Sequence, residues 1–299
     1  MKNITVIVLT FHTPENIILD CLSSIDKNIR VLIVENSKTF SHKDKVLSKF
    51  NNVDILCTGE NLGYGGGNNF AINEIKTDYI LILNPDVICA KDFFSNIINV
   101  IDVDKDFSII GCQYSNDKIF MPAGFFNSKE NKEFTTNLRK DKIDNLTKVD
   151  WVTGCSMLIN LKKFENKKIF DENFFLYFEE FDLCKSLKDK GEKVYSSKKL
   201  KIHHLGFKSS FDENSNYKKN IDRLREWHWM WSTFYFYKKN FSYLYAFKKI
   251  IRKLISASFK TIFYSLTFNE MEKEKYKYRF LGLYNSILNR PSDFRDKLK

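Results

Sequence analysis

With only 4 prolines in 299 residues, the chain leaves little room for disorder outside its extreme C-terminus. Its six cysteines (Cys21, Cys57, Cys89, Cys112, Cys155 and Cys184) stand singly and form no C-x-x-C pair. That absence argues against both a zinc ribbon and a disulfide framework, so buried, reduced thiols in a cytoplasmic protein are expected. No uncharged apolar run approaches the ~20 residues that cross a bilayer. The opening Met1-Lys2-Asn3-Ile4 runs straight into a strand-like segment and lacks a signal-peptide layout. No internal repeat is present.

The composition, 43% hydrophobic and 15% aromatic, is that of a folded protein, long enough for one large domain or one domain with an appendage. The formal charge of +11 is uneven. Residues 218–299 carry 19 Lys/Arg against 7 Asp/Glu, whereas the remainder carries 29 against 30. A basic excess confined to one quarter of the chain points to a local partner rather than to general solubility.

Over the first hundred residues, short apolar runs alternate with helical spacing. Strands are expected over Ile4–Leu9, Arg30–Val34, Val53–Cys57 and Tyr79–Leu83, with helices over Pro14–Ile25, Ser41–Phe50, about Asn68–Ile75 and Lys91–Ile101. Such alternation with short connections builds a parallel sheet covered on both faces, and ligands bind beyond the carboxyl ends of its strands. Thr10, Glu35, the glycine loop from Gly63 and Asp86 all fall at such ends. Residues 107–205 are mixed, with a polar stretch at 127–150 and a helix over about Glu179–Lys190. After Ser215 the sequence becomes helical and aromatic.

Four segments could carry chemistry. In Glu60-Asn61-Leu62-Gly63-Tyr64-Gly65-Gly66-Gly67-Asn68-Asn69, glycines let the backbone approach a ligand and the following helix N-terminus favours an anion. Neither a dinucleotide fingerprint nor a Walker phosphate loop fits it. Asp86, held after a strand by the turn Asn84-Pro85-Asp86, suits a first ligand for Mg2+ or Mn2+. In Phe170-Asp171-Glu172 to Leu183, acidic residues stand among aromatics, where burial raises carboxylate pKa values and suits a catalytic base. Glu179, Glu180 and Asp182 would equally favour a helix N-terminus. In Ile202-His203-His204-Leu205-Gly206, adjacent imidazoles on a strand point to opposite faces, so at most one serves this site. His12, His42 and His228 are read as packed or surface residues.

Taken in order, these segments resemble glycosyltransferase family 2 of the GT-A fold, in its bacterial rhamnosyltransferase-like branch. The matching residues are Thr-Val-Ile-Val-Leu-Thr at 5–10, Val34-Glu35-Asn36-Ser37, the Asn61–Asn69 loop and Leu83-Asn84-Pro85-Asp86. They continue with Val152-Thr153-Gly154-Cys155-Ser156-Met157-Leu158-Ile159, Phe170 to Leu183, and His204-x-Gly206. The resemblance implies a Rossmann-like α/β domain with a mostly parallel central sheet over residues 1–215, followed by a helical, basic-aromatic extension over 216–299. It implies that Thr10 and Glu35 meet the nucleobase or ribose, and that Asn61, Gly63, Tyr64, Asn68 and Asn69 close over the nucleoside. Asp86 would bind the metal with Asn84 beside it, and His204 or His203 would be the later metal contact. Gly154 and Cys155 would line the acceptor side. Glu180 would be the base, with Asp182 in reserve and Glu179 adjacent. Glu180 and Glu35 stand where the family usually has Asp.

The expected activity is inverting transfer of a sugar from a nucleoside diphosphate, first of all dTDP-rhamnose, to a saccharide or lipid-linked saccharide in cell-surface polysaccharide synthesis. Two other readings stay open at this point: a sugar-phosphate nucleotidylyltransferase, and a non-catalytic, membrane-peripheral sugar-binding or scaffold protein of the same fold. In the C-terminal quarter, Ile251, Leu254, Ile255, Phe259, Ile262, Phe263 and Leu266 follow helical spacing, bordered by Lys248, Lys249, Arg252, Lys253 and Lys260. A basic amphipathic helix of this kind suits the anionic inner face of a membrane. Packing on the catalytic domain or in a homodimer is the alternative. No nucleic-acid partner is expected, since no reader motif occurs.

Overall fold

The β-branched run at the start forms β1 (Ile4–Thr10), flanked in space by β2 (Arg30–Glu35) and β4 (Tyr79–Leu83), both parallel to it. In the computed structural model the described residues are 3–114, 123–126, 142–143, 145–206, 208–210 and 217–295. Between these strands come α1 (Glu15–Ser23), α2 (Lys43–Lys49), β3 (Val53–Cys57) and α3 (Gly63–Asn73). After β4 follow β5 (Val87–Cys89), α4 (Phe93–Val103), β6 (Ile109–Tyr114), β7 (Ala123–Gly124), β8 (Lys142–Ile143), β9 (Leu146–Lys148), β10 (Trp151–Val152) and β11 (Ser156–Asn160). Then come α5 (Glu179–Asp189), β12 (Val194–His204), α6 (Lys218–Asn240), α7 (Tyr243–Leu266) and α8 (Glu270–Ile287).

The main sheet runs β3-β2-β1-β4-β11-β6-β12-β9-β8, with β5 pairing β12. Its first four strands are all parallel, and β11 enters antiparallel between β4 and β6. Strand side chains alternate between faces. In β1, Ile4, Val6 and Val8 pack with α1 and α4 on one face, while Ile7 packs with α3 and α5 on the other. This is the layered α/β domain expected from the sequence. Five cysteines are buried, as expected, but Cys57 on the edge strand β3 is exposed, and all six are free.

Helix α3 corrects the sequence reading. It begins at Gly63, five residues before the expected start, so the glycines are helix and not loop. Their absent side chains admit protein rather than ligand. A Cβ on Gly63 (φ +77°) would lie 2.1 Å from the Phe175 carbonyl oxygen, and one on Gly67 2.5 Å from Leu9 Cδ1. Helix propensity is overridden because only glycine lets α3 sit this close to β1 and the segment before α5.

The three C-terminal helices pack together and onto the sheet domain. Phe234, Phe236, Tyr237, Ile250 and Leu283 share one apolar cluster with Phe174 and Phe178. Lys239 binds Asp171 (2.7 Å) and Asp182 (2.6 Å), and Ser232 donates to the Leu176 carbonyl. Packing of the extension against the sheet domain is therefore present. The expected division at 215/216 falls at residues outside those described, as does much of the polar stretch 127–150.

Candidate active site

A cleft of about 390 Å3 opens at the carboxyl ends of β1 and β4, where chain order in the sheet reverses. Open α/β sheets bind ligands at that switch point. Thr10, Asn84, Pro85 and Asp86 line it from the strand ends, Glu179 and Glu180 from α5, and His204 from β12. Asn61, Gly63, Tyr64, Gly154 and Cys155 complete the expected lining residues. Glu35, Asn68, Asn69, Asp182 and His203 do not line it.

Asp86 is placed by a turn and a short strand. The Val87 amide donates to the Asn84 carbonyl (3.1 Å) around Pro85, and the Asn84 amide donates to Cys155 (2.8 Å). The next residues form β5, which pairs with the end of β12 so that Val87 faces His204 and Ile88 faces His203. As a result His204 Nε2 stands 3.4 Å from Asp86 Oδ1, while His203, one residue earlier, is directed to the other face. The His204 ring stacks on Tyr114 with centroids 5.9 Å apart. Asp86 is 1% exposed. Its Oδ2 accepts from the Lys208 amide (3.1 Å), and its Oδ1 is buried with no hydrogen bond. A buried carboxylate oxygen without a donor is costly, and a cation removes that cost. An imidazole nitrogen beside such an oxygen, both on the cleft wall, is a donor set that fits Mg2+ or Mn2+. Among the described residues no group of three or more His, Cys, Asp or Glu is assembled for a metal. Among the described residues, Asp86 and His204 are thus the two side chains offered.

The carboxylates of α5 are aimed by unusual backbone. Tyr177 (φ +69°) and Phe178 (φ +72°) are consecutive non-glycine residues in the left-handed region, a conformation costing about 1–3 kcal/mol each. Packing holds it: Phe178 lies against Phe181, Trp229 and Phe236 with centroids 5.3–5.6 Å away, and Tyr177 against Trp229 at 5.1 Å. The chain therefore enters α5 with Glu179 and Glu180 in its first turn and on the cleft. Burial pushes Glu180 up to about 7, against the amides of Gly154, Glu180 and Phe181, which favour its charged form. Burial, then the Glu180 charge, holds Glu179 well above the usual carboxylate range, and its Oε1 has no hydrogen bond. The Tyr64 hydroxyl donates to the carbonyl of Gly154, the residue whose own amide faces Glu180. Asp182, by contrast, is 2.6 Å from Lys239 Nζ and accepts from Asn240 (2.9 Å), away from the cleft. Cys155 contacts Tyr114 (3.2 Å), and burial raises its thiol to about 11, so it is no nucleophile at neutral pH.

At the other end of the cleft, Glu35 lies behind Thr10. It accepts from Thr10 Oγ1 (2.6 Å), Ser37 Oγ (2.7 Å) and the His12 amide (3.2 Å), which makes it a bracket for the strand ends. Its neighbour Asn36 lines the cleft instead. Asn36 Nδ2 donates to Asn61 Oδ1 (3.0 Å) and the Gly63 carbonyl (2.9 Å), tying β2 to the start of α3. Asn69 clamps α3 to the segment before α5, accepting from the Ile169 and Phe170 amides (both 3.0 Å), and Asn68 donates to the Tyr64 carbonyl (2.9 Å). Sequence reasoning missed a whole wall of the site. Ile221, Leu224 and Arg225, from the start of α6, also line the cleft, with Arg225 Nη2 3.4 Å from Ser210 Oγ. The separate charge asymmetry of the C-terminal quarter was the available signal, yet it gave no indication of which basic residue turns inward.

Comparisons with known proteins bear on this geometry. The family profile described as Glycosyl transferase family 2 matches residues 5–165. Rhamnosyltransferase WbbL of Escherichia coli is 26% identical over 209 residues, covering 63% of this chain and 78% of that protein. An N-acetylglucosaminyl-diphospho-decaprenol L-rhamnosyltransferase of Mycobacterium tuberculosis is 22% identical over 248 residues, covering 72% and 81%. Among solved structures, the mannosyltransferase PcManGT of Pyrobaculum calidifontis, in complex with GDP-Man and Mn2+, superposes with a TM-score of 0.52 at 12% identity, covering 96% of this chain and 87% of that one. At that identity the likeness speaks to the fold alone.

Proposed function

This chain belongs to glycosyl transferase family 2, and from that premise we propose that it moves rhamnose from dTDP-rhamnose, with inversion, to a saccharide or lipid-linked saccharide of a cell-surface polysaccharide. It is a nucleotide-sugar-dependent enzyme of the hexosyltransferase type, and that membership sets aside both the nucleotidylyltransferase and the non-catalytic scaffold readings. Support for rhamnose comes from the names of two relatives. The observation that carries the mechanism is one cleft holding a carboxylate raised to about 7 (Glu180) and an Asp86–His204 pair with a buried, unbonded oxygen.

In this proposal Glu180 takes the proton of the acceptor hydroxyl. The acceptor oxygen bonds to the anomeric carbon as the bond from that carbon to the phosphate oxygen breaks, and the electron pair leaves on the nucleoside diphosphate. Asp86 and His204 would hold a divalent Mg2+ or Mn2+, which when bound neutralises charge on the diphosphate. Thr10, Asn36 and Asn61 bound the nucleoside end, and Gly154 with Cys155 the acceptor end. Tyr64 keeps the Gly154 amide on Glu180 so that the base is held in one position. The amides of Gly154 and Phe181 keep the carboxylate ionisable at neutral pH despite its burial.

The test is Mn2+-dependent release of nucleoside diphosphate across a panel of nucleotide sugars, with Asp86→Ala as control. A thermal shift by dTDP-rhamnose with Mn2+, absent with other donors, supports the donor assignment. Full transferase activity in Asp86→Ala refutes the metal assignment.

A further inference from the structure

We infer that the outer face of α7, together with the α7–α8 turn, docks on an anionic lipid bilayer at the end of the molecule where the cleft opens. Helix α7 turns Ala246, Ile250 and Ala257 inward. Its opposite face leaves Ile255 (61%), Phe259 (68%), Ile262 (60%) and Leu266 (74%) exposed, the turn adds Phe268 (88%), and the start of α8 adds Met271 (76%). Soluble monomers seldom expose so many large apolar side chains in one stripe. Over its 24 residues α7 carries Lys248, Lys249, Arg252, Lys253 and Lys260 and no acidic residue.

The charge selects the occupant. A two-fold contact with a second copy would set one basic α7 against another, and the acidic residues nearest that face, Glu270 and Glu272, are already paired with Lys273 and Lys275 of their own helix, so the contact costs energy. A surface of anionic headgroups complements the exposed Lys248, Arg252 and Lys253, Lys260 being turned to Tyr276 of α8 (3.0 Å), while its acyl boundary takes the phenylalanines and isoleucines. Among the described residues no helix is long and apolar enough to cross a membrane, so α7 would lie in the interface and not span it.

Orientation follows from the ion pairs of the bundle. Arg223 binds Glu274 and Arg279 binds Glu226, so α6 and α8 run side by side in the same direction. Helices rise 1.5 Å per residue, which brings the start of α8 level with the start of α6. There Ile221, Leu224 and Arg225 line the cleft. The apolar turn at 266–271 and the cleft therefore share one end of the bundle. A bilayer lying along α7 reaches the end where the cleft opens, and there would present an acceptor carried on a lipid diphosphate towards Glu180. This purpose rests on the proposed lipid-linked acceptor, whereas the docking itself does not.

Vesicle co-sedimentation of the full chain tests it. The protein should sediment with vesicles containing phosphatidylglycerol, stay in solution with pure phosphatidylcholine, and release as salt is raised. The double variant Phe259→Ser with Ile262→Ser should lower vesicle affinity by about tenfold or more while donor hydrolysis in solution is unchanged. Wild type that ignores anionic vesicles overturns the inference, as does equal affinity of the double variant. So does sedimentation equilibrium showing a dimer that the double variant converts to monomer. Because donor hydrolysis is read separately, a wild type that hydrolyses donor but does not bind anionic vesicles refutes the docking alone, and a wild type that binds vesicles but does not hydrolyse donor refutes the enzymatic reading alone.

Discussion

Replacing Glu180 by Gln, read together with the pH profile of the wild type, tests the core of the proposed mechanism. Burial raises Glu180 to about 7, so a base that must be ionised is about half active near pH 7 and about one-tenth active one unit lower. The initial rate of nucleoside diphosphate release should fall about tenfold per pH unit on the acid side, with its midpoint near 7. Glu180→Gln should lose about 10²–10⁴-fold in rate while its donor affinity stays within about threefold. Stability gives an independent reading. A carboxyl raised from 4.5 to about 7 on folding holds its proton more tightly in the native state. Its contribution to stability is fully present below 4.5 and lost as pH rises through 7. Above that pH Glu180→Gln should therefore be more stable than wild type, by about 1–3 kcal/mol, the lower end reflecting the partly exposed side chain. Thermal unfolding at pH 8 against pH 5 measures this. A wild-type acid limb centred near 4.5, or Glu180→Gln turning over at the normal rate, refutes the assignment of the base.

Three further perturbations separate chemistry from scaffolding. Arg225→Ala, removing the cation that α6 brings to the cleft, should raise donor KM about tenfold with a smaller change in kcat; steady-state kinetics with varied donor would show it, and an unchanged KM would place Arg225 outside the donor site. Asp182→Asn breaks the bond to Lys239 and should cost about 1–3 kcal/mol in urea unfolding with kcat within about threefold, whereas loss of turnover in a stable variant would make Asp182 the base. His228 is fully buried, bonded to the Phe294 carbonyl (2.8 Å), and lowered to about 3 by burial first. Its neutral form is favoured on folding, so that stability is present above 6.5 and lost as pH falls toward 3; from pH 7 to 5 this one group removes about 2 kcal/mol, against the opposite trend of Glu180, so the stability of wild type relative to His228→Gln should fall by that amount over the same range.

Local chemistry made the first half of the domain readable. The apolar runs at Ile4, Arg30, Val53 and Tyr79 mark β1 to β4 because a strand buried on both faces needs little beyond β-branched residues and a flanking turn. From those four, the rim position of Thr10 and Asp86 follows. By sequence alone, then, the chain determined its layered α/β domain, its family resemblance and the aspartate at the strand end. Tertiary structure decided the rest, because each remaining choice depends on a partner far along the chain. His204 rather than His203 meets Asp86 because β5 pairs with β12 in that register. Glu180 rather than Asp182 meets the cleft because aromatic packing from α6 holds Tyr177 and Phe178 in the left-handed region, where no glycine announces such a bend. The glycines of α3 become helix because Leu9 and Phe175 press against them. Ile221, Leu224 and Arg225 join the cleft only because α6 packs back onto the segment before α5, and long-range packing of that kind leaves no periodicity in the residues it recruits.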